Sequence, residues 1–242
     1  MKKVILNLKM NLVLEEIKKY EEEIALLCDH NPEVIICPSY PFLYLFKNPN
    51  YYLGAQDASQ FIEGSYTGEV SAKQLASMGV KHVIINHSER KKIVALSNDV
   101  LLSKIKNILN NNMQVILCVS ETIEERKSHK TVDVLLSKIV KLFNQLNRED
   151  IKKITIAYEP EWAIGTGTAL NYLEVDEIAK VLKSEIFRMY EKYVDILYGG
   201  SVNSYNITNL STTVNIDGFL IGKASLDMKE INDILSMCKE KY

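Results

Sequence analysis

The chain alternates between short apolar segments and longer amphipathic ones, and this alternation constrains its fold more than any other feature. Eight apolar segments recur, at residues 4–8, 34–37, 52–55, 82–85, 115–119, 154–158, 195–198 and 218–221. Runs of this length are typical of buried strands, whereas apolar residues at three- and four-residue spacing, clearest at 14–27, 100–109, 132–146 and 175–190, predict helices. One helix after each of eight strands favours an α/β fold, a closed parallel (β/α)8 barrel, over an open doubly wound sheet.

Length and composition agree with one such barrel. The chain has 242 residues, of which 47% are hydrophobic, and no linker-like stretch interrupts it, so we expect residues 1–242 to form a single domain. The net charge of -2 and the interspersed Lys and Glu provide no basic field for nucleic acid. No segment approaches the roughly 20 apolar residues that span a bilayer, so no membrane partner is expected. The four cysteines lack C-x-x-C spacing, which predicts neither a metal site nor a disulfide framework and favours a cytoplasmic location.

Polar residues follow several of the predicted strands. In a parallel barrel the residues directly after the strands gather at one end, where such enzymes build their active sites. The residues in these positions are Asn7 and Lys9 after the first strand, His87 and Glu89 after the fourth, Glu159 after the sixth, Ser201 after the seventh and Gly222 after the eighth. We therefore expect distant parts of the sequence to meet in one pocket.

Glu159 ends an apolar strand immediately before a glycine-containing loop. Pro160 stiffens the exit from the strand, while Gly165 and Gly167 allow the loop backbone unusual shapes. This order is typical of a general base placed under a movable lid. The alternative interpretation is an ordinary junction between a strand and a loop.

Three further segments carry side chains suited to binding an anion or moving a proton. Asn7 and Lys9 alternate at a strand end, so they should point the same way, although such a lysine can also extend to solvent. His87 precedes a possible short helix, whose free N–H groups would disfavour the imidazolium; it could equally only cap or pack. The pair Gly199 and Gly200 before Ser201 could bring backbone N–H groups to a phosphate, or form a simple turn.

Taken together, the motifs resemble those of the triosephosphate isomerase family. The matching segments, in family order, are Asn-x-Lys-Met-Asn at 7–11, the loop at 64–69, His-Ser-Glu-Arg at 87–90, the segment 157–167, Gly-Gly-Ser-Val at 199–202 and the segment 222–225. The resemblance extends from about residue 7 to 226. It implies a TIM barrel that interconverts dihydroxyacetone phosphate and D-glyceraldehyde 3-phosphate through an enediol(ate), in glycolysis and gluconeogenesis, with no metal or organic cofactor.

The resemblance also implies a role for each site residue. Glu159 would be the base and His87 would polarise the carbonyl group, while Lys9 and Asn7 stabilise negative charge. The phosphate would be bound at Gly165, Ser201, Gly222 and Lys223, with Glu89 and Thr67 in support. The 64–69 loop is similar to the family's dimer loop, through which Thr67 would reach a partner subunit near Asn7, so a homodimer is expected.

Four positions differ from the commonest pattern of that family. Asn86 and Ser120 stand where Gly is usual, Glu161 where an apolar hinge residue is usual, and Lys223 where a second Gly is usual. A second carboxylate two residues from Glu159 could disturb the base if it pointed inward, and we expect Glu161 to face solvent. Lys223 keeps its backbone N–H and adds a positive charge near the phosphate.

Two other functions share part of this pattern. One is a different phosphate-binding barrel enzyme, such as an epimerase or a synthase acting on a sugar phosphate, which does not require Asn7, Lys9, His87 and Glu159 together. The other is a binding protein that has kept the barrel without catalysis.

Overall fold

Eight parallel strands close into a barrel in the order in which they occur along the chain. The computed structural model describes residues 2–28, 33–163 and 170–239. The strands are β1 Lys3–Asn7, β2 Val34–Cys37, β3 Tyr52–Ala55, β4 His82–Ile85, β5 Gln114–Val119, β6 Ile154–Tyr158, β7 Ile196–Tyr198 and β8 Gly218–Ile221. Each strand pairs with its two neighbours, and β8 returns to β1 with Leu220 beside Ile5. The predicted (β/α)8 barrel is confirmed.

Helices lie between the strands and cover the outside of the barrel. Those within the described residues are α1 Leu14–Leu27, α2 Ala72–Ser77, α3 Ser88–Ile93, α4 Asn98–Asn110, α5 Ile123–Lys127, α6 Thr131–Phe143, α7 Arg148–Ile151, α8 Tyr172–Tyr190, α9 Ile207–Leu210 and α10 Met228–Cys238. On α8 the buried side chains include Val175, Ala179, Leu182 and Ile186, which recur at helical spacing and face the barrel. The helices and the outward side chains of the strands therefore share one large apolar core.

Side chains that point into the barrel form a second, smaller apolar cluster, called here the inner layer. Because side chains alternate along a strand, Ile5 points inward while its neighbours Val4 and Leu6 join the outer core. The inner layer consists of Ile5, Ile35, Cys37, Ile84, Ile116, Cys118, Ala157, Leu197 and Leu220. It fills the middle of the barrel, so a site at the carboxyl ends of the strands has an apolar floor.

The prediction of one helix after every strand is wrong in several places. Two helices, α3 and α4, follow β4, and three, α5 to α7, follow β5, while the helical segments after β2 and β7 are shorter than predicted. Between β2 and β3 the chain forms a 3-10 turn, Tyr40–Leu45, with Pro41 in its first turn. The connection has only residues 38–51 in which to return to the start of β3, which leaves little room for a longer helix. After β7 the helix α9 has four residues.

No helix in the described parts of the chain combines the length and apolar character required to cross a lipid bilayer.

Candidate active site

The polar residues that follow the strands meet in one cavity at the carboxyl end of the barrel. The cavity has a volume of about 540 Å³, and its lining includes Asn7, Lys9, His87, Glu159, Ser201, Gly222 and Lys223. These residues come from β1, β4, β6, β7 and β8 or from the turns that follow them. The convergence predicted from the sequence is therefore present in the fold.

His87 is held by the start of α3. It is the N-cap residue of that helix, and its Nδ1 accepts a hydrogen bond of 3.2 Å from the backbone N–H of Glu89. A ring nitrogen that accepts a hydrogen bond carries no proton, so the neutral imidazole has its proton on Nε2. Nε2 lies 3.1 Å from Oε1 of Glu159. The histidine thus presents a single N–H group to the cavity.

Glu159 is almost completely buried, with 1% of its surface exposed. Its Oε2 accepts a hydrogen bond of 3.1 Å from the backbone N–H of Ser88. Beside it, a Cβ atom at Gly199 would come within 2.9 Å of the Cγ of Glu159, closer than a side chain permits. Glycine at 199 therefore leaves room for the carboxylate, and a shielded carboxylate between two donors is suited to act as a base.

Lys9 is placed by strained backbone and several hydrogen bonds. Its φ of 54° lies in the left-handed region, which costs energy for a residue with a side chain. The backbone N–H of Lys9 donates to Oδ1 of Asn7 at 3.1 Å, and its carbonyl accepts from Gln56 Nε2 at 2.8 Å. The ammonium group forms a 2.6 Å salt bridge with Glu89. Glu89 therefore contacts both Lys9 and His87.

Glycines also set the shape of the opposite wall of the cavity. A Cβ at Gly222 would lie 2.9 Å from Cε of Lys9, and one at Gly200 would lie 2.2 Å from the hydroxyl of Tyr198. Ser201 and the exposed Lys223 line this wall. The backbone of this wall therefore lies close to the part of the cavity beside Lys9. Such a close approach lets backbone N–H groups bind a small anion.

Three predicted residues are not placed among those that line this cavity. Glu89 contacts it through Lys9 and His87 without lining it. Gly165 lies outside the described residues. Thr67 is exposed and lines a separate groove of about 560 Å³ together with Phe61 and Tyr66, whose rings stack at 3.6 Å. Within one chain, Thr67 is thus not among the residues that line the cavity around Asn7.

Gln56 and Glu121 are neighbours of the site that the sequence interpretation missed. Gln56 donates to the carbonyl of Lys9, and Glu121 accepts hydrogen bonds from Tyr158 at 2.8 Å and from Trp162 at 3.3 Å. Burial raises the pKa of Glu121, while the hydrogen bond from Tyr158 opposes this shift. Gln56 directly follows β3, and Glu121 lies two residues after the end of β5. A search for polar residues after each predicted strand, which found Glu159, could therefore have found both.

Asn86 occupies a backbone position that favours Gly over most residues with a side chain. Its φ is 66°, in the left-handed region, which Asn tolerates better than most residues with a side chain. Its Nδ2 donates to the carbonyl of Cys118 at 3.0 Å, which ties the end of β4 to β5.

The expectation that Glu161 faces solvent is wrong. Its side chain is only 32% exposed, and Oε1 accepts a 2.7 Å hydrogen bond from the hydroxyl of Ser120. The ammonium of Lys91 lies 3.8 Å from the same oxygen. The carboxylate is half-buried because Ser120, directly after β5, and Lys91, on α3, supply polar partners.

A buried carboxylate, an imidazole and a lysine amine share a small cavity in a (β/α)8 barrel, and this combination defines an acid–base enzyme for a small anionic substrate. Comparison with known proteins gives the family. A family model described as "Triosephosphate isomerase" matches residues 2–238. The chain belongs to the triosephosphate isomerase family.

Similar proteins of that family come from distant organisms. The chain is 40% identical to "Triosephosphate isomerase" of Yarrowia lipolytica over 239 residues, which covers 95% of each protein. It is 39% identical to "Triosephosphate isomerase" of Borreliella burgdorferi over 90% of each. It is 35% identical to that of Ureaplasma parvum, over 99% of this chain and 100% of the relative. The similarity therefore spans the whole barrel.

Proposed function

We propose that this chain interconverts dihydroxyacetone phosphate and D-glyceraldehyde 3-phosphate through an enediol(ate), as an aldose–ketose isomerase. Membership of the family supports the reaction. The observation that carries the assignment to residues is the carboxylate of Glu159, 3.1 Å from the imidazole of His87 in a cavity that also contains Lys9.

Glu159 is the base. It removes a proton from the carbon next to the carbonyl group of the substrate and returns it to the neighbouring carbon. In the described structure Ser88 donates to one of its oxygens, so the carboxylate leaves this donor when it turns to the substrate. Burial removes competing water from the carboxylate, which makes proton transfer to it more effective.

His87 moves protons between the two oxygens of the enediol(ate). Its Nε2–H donates to the carbonyl oxygen, and the ring then recovers a proton from the other oxygen. Nδ1 accepts the hydrogen bond from the N–H of Glu89, which places the donor of the ring on Nε2. The imidazole therefore presents one N–H group to the substrate oxygens.

Lys9 and Asn7 stabilise the negative charge that develops on the oxygens. A preorganised donor of this kind is worth about 2.7–4 kcal/mol in other enzymes. The phosphate is bound on the opposite wall by Ser201, Gly222 and Lys223. Gly165, which lies outside the described residues, is proposed as a further donor. Lys223 contributes its backbone N–H and a positive charge at the mouth of the cavity.

We also propose that the chain forms a homodimer through the loop around Thr67. Large apolar side chains are exposed on segments that follow β1, β3 and β4, and one of these segments contains the loop itself. Among them are Met10 at 95%, Ile62 at 65% and Ile93 at 74% exposure. Exposed apolar residues that form a continuous patch are typical of a protein–protein interface.

Light scattering on a dilution series tests the dimer directly. At high concentration it should give twice the mass of one chain. Ile62→Lys should shift the protein to monomers and reduce turnover. The matched control is Leu173→Lys on α8, which changes an equally exposed apolar residue between β6 and β7. A fully active monomer would contradict a role of Thr67 in the partner subunit.

Two further proposals concern the chain as a whole. We propose that residues 1–242 form one catalytic domain, because the described residues all belong to one closed barrel and its covering. We propose a cytoplasmic location, in keeping with four buried cysteines that are unpaired thiols.

A turnover assay separates this function from the alternatives. The purified chain should convert glyceraldehyde 3-phosphate to dihydroxyacetone phosphate, and 2-phosphoglycolate, a mimic of the intermediate, should inhibit it reversibly. A different sugar-phosphate enzyme would not turn over the triose phosphates. A binding protein would bind 2-phosphoglycolate without turnover, and either result would reject the proposal.

A further inference from the structure

One wall of the cavity is formed by the loop that follows β7, residues 199–206, called here the β7 loop. Most of its residues line the cavity, and one of them is Ser201, a proposed phosphate donor. Val202 anchors the start of the loop, because its side chain is 6% exposed and packs in the outer core. The part of the loop beyond Val202 depends on polar contacts for its position.

Two asparagines fix the shape of the β7 loop from within. The Oδ1 of Asn203 accepts hydrogen bonds from the backbone N–H groups of Tyr205 at 3.0 Å and Asn206 at 3.1 Å. The Nδ2 of Asn206 donates to the carbonyl of Ser201 at 2.7 Å, and its Oδ1 accepts from the N–H of Asn203 at 3.0 Å. These bonds link the backbone at Ser201 to the rest of the loop, so we expect the loop to move as one unit.

Glu230, in the first turn of α10, ties this unit to a helix on the outside of the barrel. Its Oε2 accepts a hydrogen bond of 2.8 Å from the backbone N–H of Ser204, and its Oε1 accepts one of 2.9 Å from the hydroxyl of the same residue. Both carboxylate oxygens therefore hold one residue, three positions after Ser201. Hydrogen bonds to a charged acceptor are stronger than those between neutral groups.

The charge of Glu230 has the opposite effect on an anion. Its side chain lines the cavity together with Ser201, Gly222 and Lys223, where the phosphate is proposed to bind. Like charges repel, so the carboxylate by itself weakens the binding of phosphate. The N-terminus of α10 offsets part of this repulsion, because the free N–H groups there favour a negative charge. The hydrogen bonds of Glu230 hold the binding loop in place, whereas its charge opposes binding.

We propose that Glu230 is a positioning residue for the phosphate group: through Ser204 it holds the β7 loop where Ser201 meets the phosphate of the substrate. The proposal rests on the function proposed above. It gives α10 a part in substrate binding, although Glu230 acts on the phosphate only through the loop.

Two substitutions of Glu230 separate its hydrogen bonds from its charge. Glu230→Ala removes both, and the released loop should raise the KM for glyceraldehyde 3-phosphate and the inhibition constant of inorganic phosphate by about 3–10-fold. Glu230→Gln removes the charge but keeps an oxygen that accepts from the N–H of Ser204 and an amide that donates to its hydroxyl. It should bind phosphate as tightly as the unsubstituted chain, or more tightly.

A second variant and a matched control complete the design. Ser204→Ala loses the hydroxyl and keeps the backbone N–H, so it should change both constants in the same direction as Glu230→Ala, by a smaller factor. In the Glu230→Ala background it should have no further effect, because its partner is gone. Asp233→Ala removes a carboxylate from α10 that is not among the described residues lining the cavity, and should leave both constants unchanged. A loss of folded protein would lower the apparent kcat without changing either constant.

The outcomes distinguish the two proposals. If the unsubstituted chain does not isomerise triose phosphates, the proposed function fails. If it does, and Glu230→Ala and Glu230→Gln change the two constants equally, in either direction or not at all, the role of Glu230 is rejected. Should Glu230→Ala fail to fold, the direction of the change in Ser204→Ala still decides the matter.

Discussion

At the scale of single residues, the contacts of each carboxylate determine its role in the site. Glu159 is buried between the N–H of Ser88 and the imidazole of His87, and Gly199 leaves it the necessary space. Glu89, in contrast, is a partner of Lys9 and supports the site through its backbone N–H and its side chain. We propose that the carboxylate acts as the base at position 159, whereas at position 89 it holds neighbouring residues in place.

Replacement of the base should abolish most of the activity without unfolding the protein. Glu159→Gln keeps the size of the side chain but cannot accept a proton, so kcat should fall by about 10²–10⁴-fold. The measurement is a coupled assay of glyceraldehyde 3-phosphate consumption, with circular dichroism to confirm folding. Glu177→Gln, which changes an exposed carboxylate on α8, should retain full activity. Near-normal turnover of Glu159→Gln would show that another residue is the base.

The residues that line the cavity could be predicted because they directly follow strands. His87, Glu159 and Lys9 are such residues, and the structure brings them together. The surroundings of Glu161 could not be predicted in this way, since its hydroxyl partner is 41 residues distant in sequence. Its burial is decided by the packing of β5, β6 and α3, which no local pattern describes.

At the scale of elements, the junction between β4 and α3 sets the position of the imidazole. Asn86 turns the chain through a left-handed conformation, and His87 then caps α3. The amide of Asn86 also binds the carbonyl of Cys118. One turn therefore aligns the strand, the helix and the neighbouring strand.

Substitution at this junction should separate backbone strain from side-chain bonding. Asn86→Ala places a less tolerant residue at φ 66° and removes the hydrogen bond, so the free energy of unfolding should fall by about 1–3 kcal/mol. Asn86→Gly loses the bond but relieves the strain, and should cost less. Urea denaturation followed by fluorescence measures both. Equal stability of the two variants would contradict the importance of the left-handed turn.

Element prediction succeeded where the hydrophobic pattern was long or regular. Helices α1 and α8 and the core strands agree with the pattern, since each buries an apolar face of matching period. The 3-10 turn at Tyr40–Leu45 and the four-residue α9 were not predicted. The conformation of a short connection depends on the distance between the two strands that it joins. The hydrophobic periodicity of the sequence gives no information on that distance.

At the scale of the whole molecule, the two ends of the barrel differ in character. The lower end, where the strands begin, carries a charge cluster in which Lys3 bridges Glu33 at 3.3 Å and Asp195 at 3.1 Å. His82, the first residue of β4, is buried there with its ring edge-on to Tyr52. Burial lowers the pKa of His82 to about 4, and the positive charge of Lys3 adds to the shift.

This histidine should make the stability of the fold depend on pH. The folded protein holds His82 neutral, whereas the unfolded chain binds a proton near pH 6.5, so the stabilisation is complete above that pH. It is lost as the pH falls from about 6.5 to about 4, and amounts to at most about 3 kcal/mol. Urea denaturation across this range should show a shallower slope for His82→Gln than for the unsubstituted chain. Parallel slopes would show that His82 is not the group responsible.

The inner layer separates these two ends. Ile5 lies between Lys3 and Asn7 along β1, and Ile84 lies between His82, the first residue of β4, and Asn86, which follows that strand. This apolar layer separates the cavity at the carboxyl ends of the strands from the charged cluster around Lys3 and the buried His82 at their amino ends. One end of the barrel therefore carries the cavity and the opposite end does not. An enzyme attached to a support through the end that carries Lys3 and His82 would keep its cavity facing the solution, because substitutions for that attachment change residues that do not line the cavity.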